Sequence, residues 1–435
     1  MPNNTLLRFE LKRAVIFAIL IASYIMVYFH RMASGVVASD LMTFFNVSAT
    51  NIGILSGMYF YIYTAMQIPS GILADRIGPR RCVSVGNFLA GIGSIIFGLS
   101  FFFSMACFGR FLVGLGVSVV FVSIMKSNSV WFSVKRYGLV TGITILVGII
   151  GAISATGPLA IALEKYSWQS IFVVIGILSL LFGIFAVFFV RNSPTKHEVE
   201  HFLKEKRKII HQDRHWIKDF FILIKKKQIW ACFFINLGTV GSLYSIMGLW
   251  AIPYLRDVFF LSNAQASKYV IFMMAAFGAG TLVIGLISDK LGRRKPLLVF
   301  GNIFYFLMWL VVMFFPLKTG LLCLGIFTLM GFFSSVIVLS FPCCKEIVPS
   351  NMTGMALGIA NIGAFLGVSI IQPLFGLILD LSRSGDIINK VHIYSAGDYH
   401  NAFYMVSAFA FVGIIGALMI KETFCKNIIT HEEYS

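Results

Sequence analysis

The chain is short of charge. Only 12% of its 435 residues are Asp, Glu, Lys or Arg, about half of the roughly 25% usual in soluble globular proteins. Acids are the scarcest: up to Val190 they are only Glu10, Asp40, Asp75 and Glu164. Stretches 14–29 and 82–109 carry no charge at all, which excludes the polar face that a soluble helix keeps toward water. Groups that carry chemistry are also missing. There is no nucleophile elbow, no His/Cys/Asp/Glu run with metal-ligand spacing and no pair of carboxylates inside an apolar block, so no catalytic residue, metal or cofactor is expected and an enzyme is not the reading. The seven cysteines (Cys82, Cys107, Cys232, Cys323, Cys343, Cys344 and Cys425) lie mostly within apolar blocks and read as small core hydrophobes. Basic residues precede the first apolar stretch, as in a signal peptide, but that stretch is too long for an h-region and no A-x-A site follows. It is read as a retained first helix.

What is present is apolar: 58% of the residues are hydrophobic and the mean hydropathy is +0.88. Uncharged runs of this length read as membrane-spanning helices. Twelve are expected: 14–36, 51–73, 82–103, 105–126, 137–161 and 168–190, then 229–252, 267–287, 296–316, 320–343, 353–378 and 402–420. The fold class is therefore an all-α membrane protein of two six-helix bundles, 1–190 and 229–435, joined by a basic linker at 191–228. The net charge of +17 is not a nucleic-acid footprint, because the basic residues sit in the gaps between apolar blocks, as membrane loops do. With the N-terminus in the cytoplasm, 27 of the 35 Lys and Arg fall on the cytoplasmic side, which places both termini there. Within the linker, Phe202, Ile209, Ile210, Trp216 and Phe220 punctuate the basic run, the pattern of an amphipathic helix lying on an anionic leaflet.

One loop is written twice. After the second span the chain reads Gly71-Ile-Leu-Ala-Asp75-Arg76-Ile-Gly78-Pro79-Arg80-Arg81, and after the eighth Gly285-Leu-Ile-Ser-Asp289-Lys290-Leu-Gly292-Arg293-Arg294-Lys295. Gly, Asp, Gly and Arg recur at one constant offset. A repeat in the same place of two six-span halves marks a duplicated bundle. This loop resembles the G-x-x-x-D-R-x-G-R-R signature of the major facilitator superfamily, with Pro79 in place of the first paired Arg. Arg110-Phe-Leu-Val-Gly114 resembles the family's R-x-x-x-G element, and Pro158 with Trp168 and Phe172 its junction of spans five and six. The resemblance covers the whole chain. It implies a cytoplasmic latch between the halves, formed by Gly71, Asp75, Arg76, Gly78, Arg80 and Arg81 and by Gly285, Asp289, Gly292, Arg293 and Arg294. Physically, Gly71 is expected to let two helix backbones approach, Gly78 to permit a tight turn and Asp75 to meet a cation or a helix N-terminus. Arg110, Gly114 and Pro158 are expected to be structural.

Charges and polar groups inside a bilayer are costly and mark function. Arg31 lies deep in the first span beside His30, with Tyr28 and Tyr24 on its face. Tyr59, Tyr63 and Gln67 share one face of the second span, and Lys126 lies near the inner end of the fourth. In the second half Asn236, Tyr244, Trp250 and Asn361 are the polar candidates at membrane depth. Arg31 has no carboxylate at its depth in its own half, so these residues point to a site for a small organic anion or zwitterion: a carboxylate, a phosphorylated metabolite or a dipeptide. The resemblance implies a secondary or facilitative transporter working by alternating access. It also implies a small molecule and the bilayer as partners, no nucleic acid, a functional monomer and a bacterial inner membrane. A solute sensor that signals through a partner and an efflux carrier are the alternatives.

Overall fold

The structure is a computed structural model describing residues 2–195, 198, 216–315, 319–349, 352–382, 384, 387–388 and 391–426; the middle of the basic linker lies outside these. It is helical apart from a two-residue antiparallel ladder pairing Ile387 with His392 and Ile388 with Val391. Eleven described helices are long and apolar enough to cross a membrane. Helices dominate because nothing in hydrocarbon can satisfy a backbone N–H or C=O except the segment itself. Side chains such as Val85, Phe188, Leu286 and Leu381 point outward and are exposed, which fits a lipid surface and would be a liability in water.

The twelfth span is found by resolving one long helix. Ala49–Ala65 continues past Met66 into Gln67–Gly98, which contains Gly78 in a non-helical conformation, φ 85° and ψ 160°. Arg110 lies against Tyr59 and Lys126 against Asp75, so 59–75 runs alongside 110–126 in the same direction. Gly86 meets Gly116 and Gly93 meets Gly109, so 86–93 runs the opposite way. The chain therefore reverses at Gly78, where a positive φ costs glycine nothing. The second span is 49–77 and the third 79–98. The remaining spans are Leu7–Met32, Phe103–Trp131, Leu139–Leu163, Trp168–Phe189, Lys227–Phe259, Asn263–Leu291, Lys295–Phe314, Leu321–Lys345, Thr353–Ser382 and Ala396–Met419.

Several of these helices outlast the apolar runs that announce them, and three carry side-chain caps at their N-termini. Ser167 caps the sixth span, and Ser262–Gln265 and Ser395–Asp398 form capping boxes on the eighth and twelfth. Pro158 comes shortly before the junction of the fifth and sixth spans. It lies inside the fifth, where the helix breaks at Thr156 and restarts at Gly157 with Pro158 in its first turn, the one place where its missing N–H is harmless. In the seventh span two π-helical segments, Asn236–Val240 and Ile246–Trp250, flank a single α-turn.

Candidate functional site

The first span places Arg31 in the middle of the protein, 4% exposed. Its guanidinium carbon lies 4.7 Å from the ring centre of Tyr28, 5.1 Å from Tyr63, 5.1 Å from Phe365 and 6.0 Å from Tyr244. Its Nε donates to the Tyr59 hydroxyl at 3.4 Å. These aromatic groups come from the first, second, seventh and eleventh spans, so the cage is built by both halves. Glycines set the distances. A Cβ on Gly148 would lie 2.7 Å from Tyr24 and 2.8 Å from Tyr28, and one on Gly114 would lie 2.5 Å from the Tyr59 carbonyl. The fifth and fourth spans thus press directly on the tyrosine-bearing helices. Each aromatic face offers a cation about 0.5–2 kcal/mol, but a face carries no charge. Among the described residues, no carboxylate forms an ion pair with Arg31.

One turn closer to the repeated loop, Asn361 Nδ2 donates to Gln67 Oε1 at 2.8 Å across the two halves, under a Tyr63–Phe365 ring contact of 4.3 Å. Arg31, Tyr28, Tyr59, Tyr63, Gln67, Tyr244 and Asn361 are thus brought together. Phe365 escapes a reading of the sequence. Its only signal is that it lies one helical turn beyond Asn361, and in a chain with 44 Phe one more aromatic on a span is unremarkable.

The other candidates lie elsewhere. His30 is one residue from Arg31 but about 100° around the helix. Its Nε2 is 3.5 Å from Ser179 Oγ of the sixth span and its Nδ1 has no partner. Lys126 donates to Asp75 Oδ1 and to the Ala74 carbonyl, both at 2.9 Å. Asn236 donates to the Cys232 carbonyl and to Ser340 within the second half. Trp250 donates to the Gln372 carbonyl at 3.1 Å and stacks on Phe375. Arg110 donates to the His30 carbonyl at 2.9 Å and to Ser34 Oγ at 2.8 Å, joining the fourth span to the first.

Each copy of the repeated loop is tied inside its own half. In the first copy Asp75 holds Lys126, and Arg80 donates from its backbone N–H to Asn192 and from Nε to the Val187 carbonyl at 2.9 Å. In the second copy Arg294 donates to Asp289 and Glu346, and its backbone N–H and that of Lys295 donate to Glu422, each at 2.9 Å. Partial burial raises the Glu422 carboxyl's pKa, but the backbone donors of Arg294, Phe424, Lys295 and Thr423 outweigh it and hold the group below its ordinary value of 4.5. Arg76 and Arg81 are exposed, and Arg293 lies over the Phe424 ring. The expected close approach at Gly71 is absent: nothing lies within 4 Å of a Cβ built there, nor at Gly142, Gly285 or Gly354. At the motif-bearing ends of the second and eighth spans, and at the neighbouring ends of the fifth and eleventh, the helices are therefore parted.

The halves meet at the opposite end. A Cβ on Gly53 would lie 2.4 Å from the Gln372 carbonyl, on Gly376 2.3 Å from that of Ala49, and on Gly35 2.9 Å from that of Leu249. Asp380 accepts from the Thr50 and Ala49 backbone N–H groups at 2.8 and 3.2 Å, and Arg256 donates to Ser39.

Comparison with known proteins agrees with this architecture. The family model described as Major Facilitator Superfamily matches residues 20–371 and 251–424. The probable sulfoacetate transporter SauU of Cupriavidus necator is 22% identical over 86% of this chain and 89% of its own. The phosphoglycerate transporter protein of Salmonella typhimurium is 25% identical over 77% of this chain and 76% of its own. A bacterial homolog of the human lysosomal transporter Spinster, solved in an inward-facing, unoccupied conformation, superimposes with a TM-score of 0.71 at 16% identity, covering 94% of this chain and 98% of that one.

Proposed function

Since the chain belongs to the Major Facilitator Superfamily, we propose that it is a secondary or facilitative transporter that carries a small organic anion or zwitterion across a membrane by alternating access. The observation that carries this reading is Arg31: a buried cation, faced by aromatic rings from both halves, with no carboxylate paired to it among the described residues. An isolated charge in a low-dielectric interior is expensive. An arriving carboxylate, sulfonate or phosphate supplies the missing counter-charge and matches the planar fork of a guanidinium in two-point contact. The named relatives support the same class, since sulfoacetate and phosphoglycerate are both small organic anions.

In this reading the bundles 1–190 and 229–435 rock around Arg31, with 191–228 as the cytoplasmic link. Both termini face the cytoplasm of a bacterial inner membrane, by the bias of 27 of 35 basic residues. The protein works as a monomer, binds no nucleic acid and catalyses no covalent step. Among the described residues no carboxylate pairs with Arg31, so transport is by facilitated diffusion, by exchange, or by coupling through His30 or the substrate's own carboxylate. Gln67 and Asn361 form a thin inner gate beneath the cage, and the repeated loop re-forms across the halves in the opposite state.

The test is uptake of labelled organic acids into liposomes containing the purified protein. Uptake that is saturable and abolished by Arg31→Ala supports the reading. Unchanged uptake in that variant removes Arg31 from the site, and selective uptake of neutral sugars or lipophilic cations overturns the substrate class.

A further inference from the structure

The second and eleventh spans are antiparallel neighbours, and each ends on an acid. The second starts at Ala49 and reaches Asp75 near its far end; the eleventh starts at Thr353 and reaches Asp380 near its own. The two acids stand almost equally far along their helices. They therefore occupy equivalent places at opposite ends of one helix pair. Each lies at the level where the partner helix begins.

Only one of them is engaged with the other half. The N-terminus of the second span has no cap of its own: Ser48 stands at the capping position, but its side chain accepts no bond from the first turn. Asp380, from the other half of the molecule, takes that role. Its Oδ2 accepts from the Thr50 backbone N–H at 2.8 Å and from the Thr50 hydroxyl, and its Oδ1 accepts from the Ala49 N–H at 3.2 Å. Tyr394, on the segment before the twelfth span, donates to the same carboxylate at 2.6 Å. A carboxylate on a helix N-terminus gains both hydrogen bonds and the helix dipole. Here that gain exists only while the two halves touch, because donors and acceptor belong to different halves. Asp75 is disengaged from the other half and bound to Lys126, at the end where Gly71 and Gly354 face open space.

We propose that Asp380 is the latch of the outer gate: a cap supplied in trans by the eleventh span to the second, made when the outer end closes and broken when it opens. Asp75, which the resemblance already assigns to the inner latch, stands at the equivalent place at the other end of the same helix pair and is the reference for it. The proposal rests on the alternating-access reading but not on the identity of the substrate. It differs from a general closure of helix ends in placing the energetic bias on one carboxylate at each end.

The experiment measures the distance between spin labels at Thr43→Cys and Asn401→Cys, both exposed and on opposite halves near the outer end, in the full-length protein in lipid nanodiscs. Asp380→Asn is expected to raise the ratio of long to short distances by about fivefold to tenfold, the worth of a charged cap. Thr50→Val, which keeps both backbone donors, is expected to give a smaller change in the same direction. Asp75→Asn is expected to shift the ratio the opposite way. An Asp380→Asn protein that purifies as a monodisperse species with the wild-type ratio overturns the latch. One fixed distance in wild type and all variants overturns both the latch and the alternating-access reading.

Discussion

Arg110 donates to the carbonyl of His30 across 2.9 Å, and that carbonyl belongs to the turn of the first span that carries Arg31. A charged side chain of the fourth span, 5.4 Å from the centre of the Tyr59 ring, thus fixes the azimuth of the cage residue. Its second donation, to Ser34 Oγ at 2.8 Å, spans the joint between Met32 and Ser34 where the first helix ends and the next begins. Removing it strands two acceptors and leaves a hole. Arg110→Ala is expected to cost about 3 kcal/mol and to lower the thermal midpoint in detergent. Arg110→Lys, which cannot fork to two acceptors, should fall between the two. A midpoint equal to wild type for Arg110→Ala would show that the bond positions nothing.

Two glycines of the second span, Gly53 and Gly71, should behave oppositely. Gly53→Val drives a side chain into the Gln372 carbonyl, where a Cβ would sit at 2.4 Å. It is expected to cost about 1–3 kcal/mol and to stop transport by propping the outer end open. Gly71→Val meets open space in this conformation and should stay within about 0.5 kcal/mol. Any slowing of transport by Gly71→Val would then report on the opposite state. Liposome flux and thermal midpoints of the two variants, compared side by side, decide this.

Arg31→Lys keeps the charge and loses the planar fork. Ligand binding to the wild type, at 100 times the dissociation constant, should stabilise the fold by ~2.7 kcal/mol. The lysine variant is expected to bind the same anions about tenfold more weakly or worse, because a point charge cannot make the two-point contact. A thermal-shift titration reads this directly, and equal affinities for the two proteins would mean that charge alone is recognised.

Glu422 predicts a pH dependence. Its folded pKa is depressed below the ordinary 4.5 by backbone donors. The folded state therefore binds the proton less readily than the unfolded state. The stabilisation is fully present above that ordinary value and drains away as the pH falls through the folded value. Melting midpoints between about pH 6 and about pH 3 should fall more steeply in wild type than in Glu422→Gln. At neutral pH the glutamine variant should be less stable by about 0.5–1 kcal/mol. Parallel pH profiles for the two proteins would remove Glu422 from the account.

The spans are legible in the sequence because they obey one rule, the exclusion of charge, and the repeated loop because its Asp and Gly recur at one offset. Arg31 is legible as a charge where none belongs, and Tyr28, Tyr59 and Tyr63 through helical spacing. What cannot be read is direction across the gap between halves. Nothing in the sequence distinguishes Tyr244, which reaches the cage, from Asn236, two turns away and bonded within its own half. His30 misleads because adjacency in sequence puts a helical neighbour on a different face. Asp380 hides because an acid just beyond an apolar run looks like a loop residue until its partner helix is in view. The packing role that the motif suggests for Gly71 belongs to Gly53, about five turns earlier on the same span.

The two π-helical segments of the seventh span have a consequence for how the cage is tuned. Each wide turn holds a residue more than an α-turn would. Tyr244 lies in the single α-turn between them. If one wide turn tightens while its neighbour widens, Tyr244 swings about 100° around the axis while both helix ends stay where the membrane and the loops hold them. Such a swing would make the seventh span less a strut than a bearing, and it would carry the whole turn Gly241–Ser245 and strain the 2.9 Å bond between Ser242 and Tyr305.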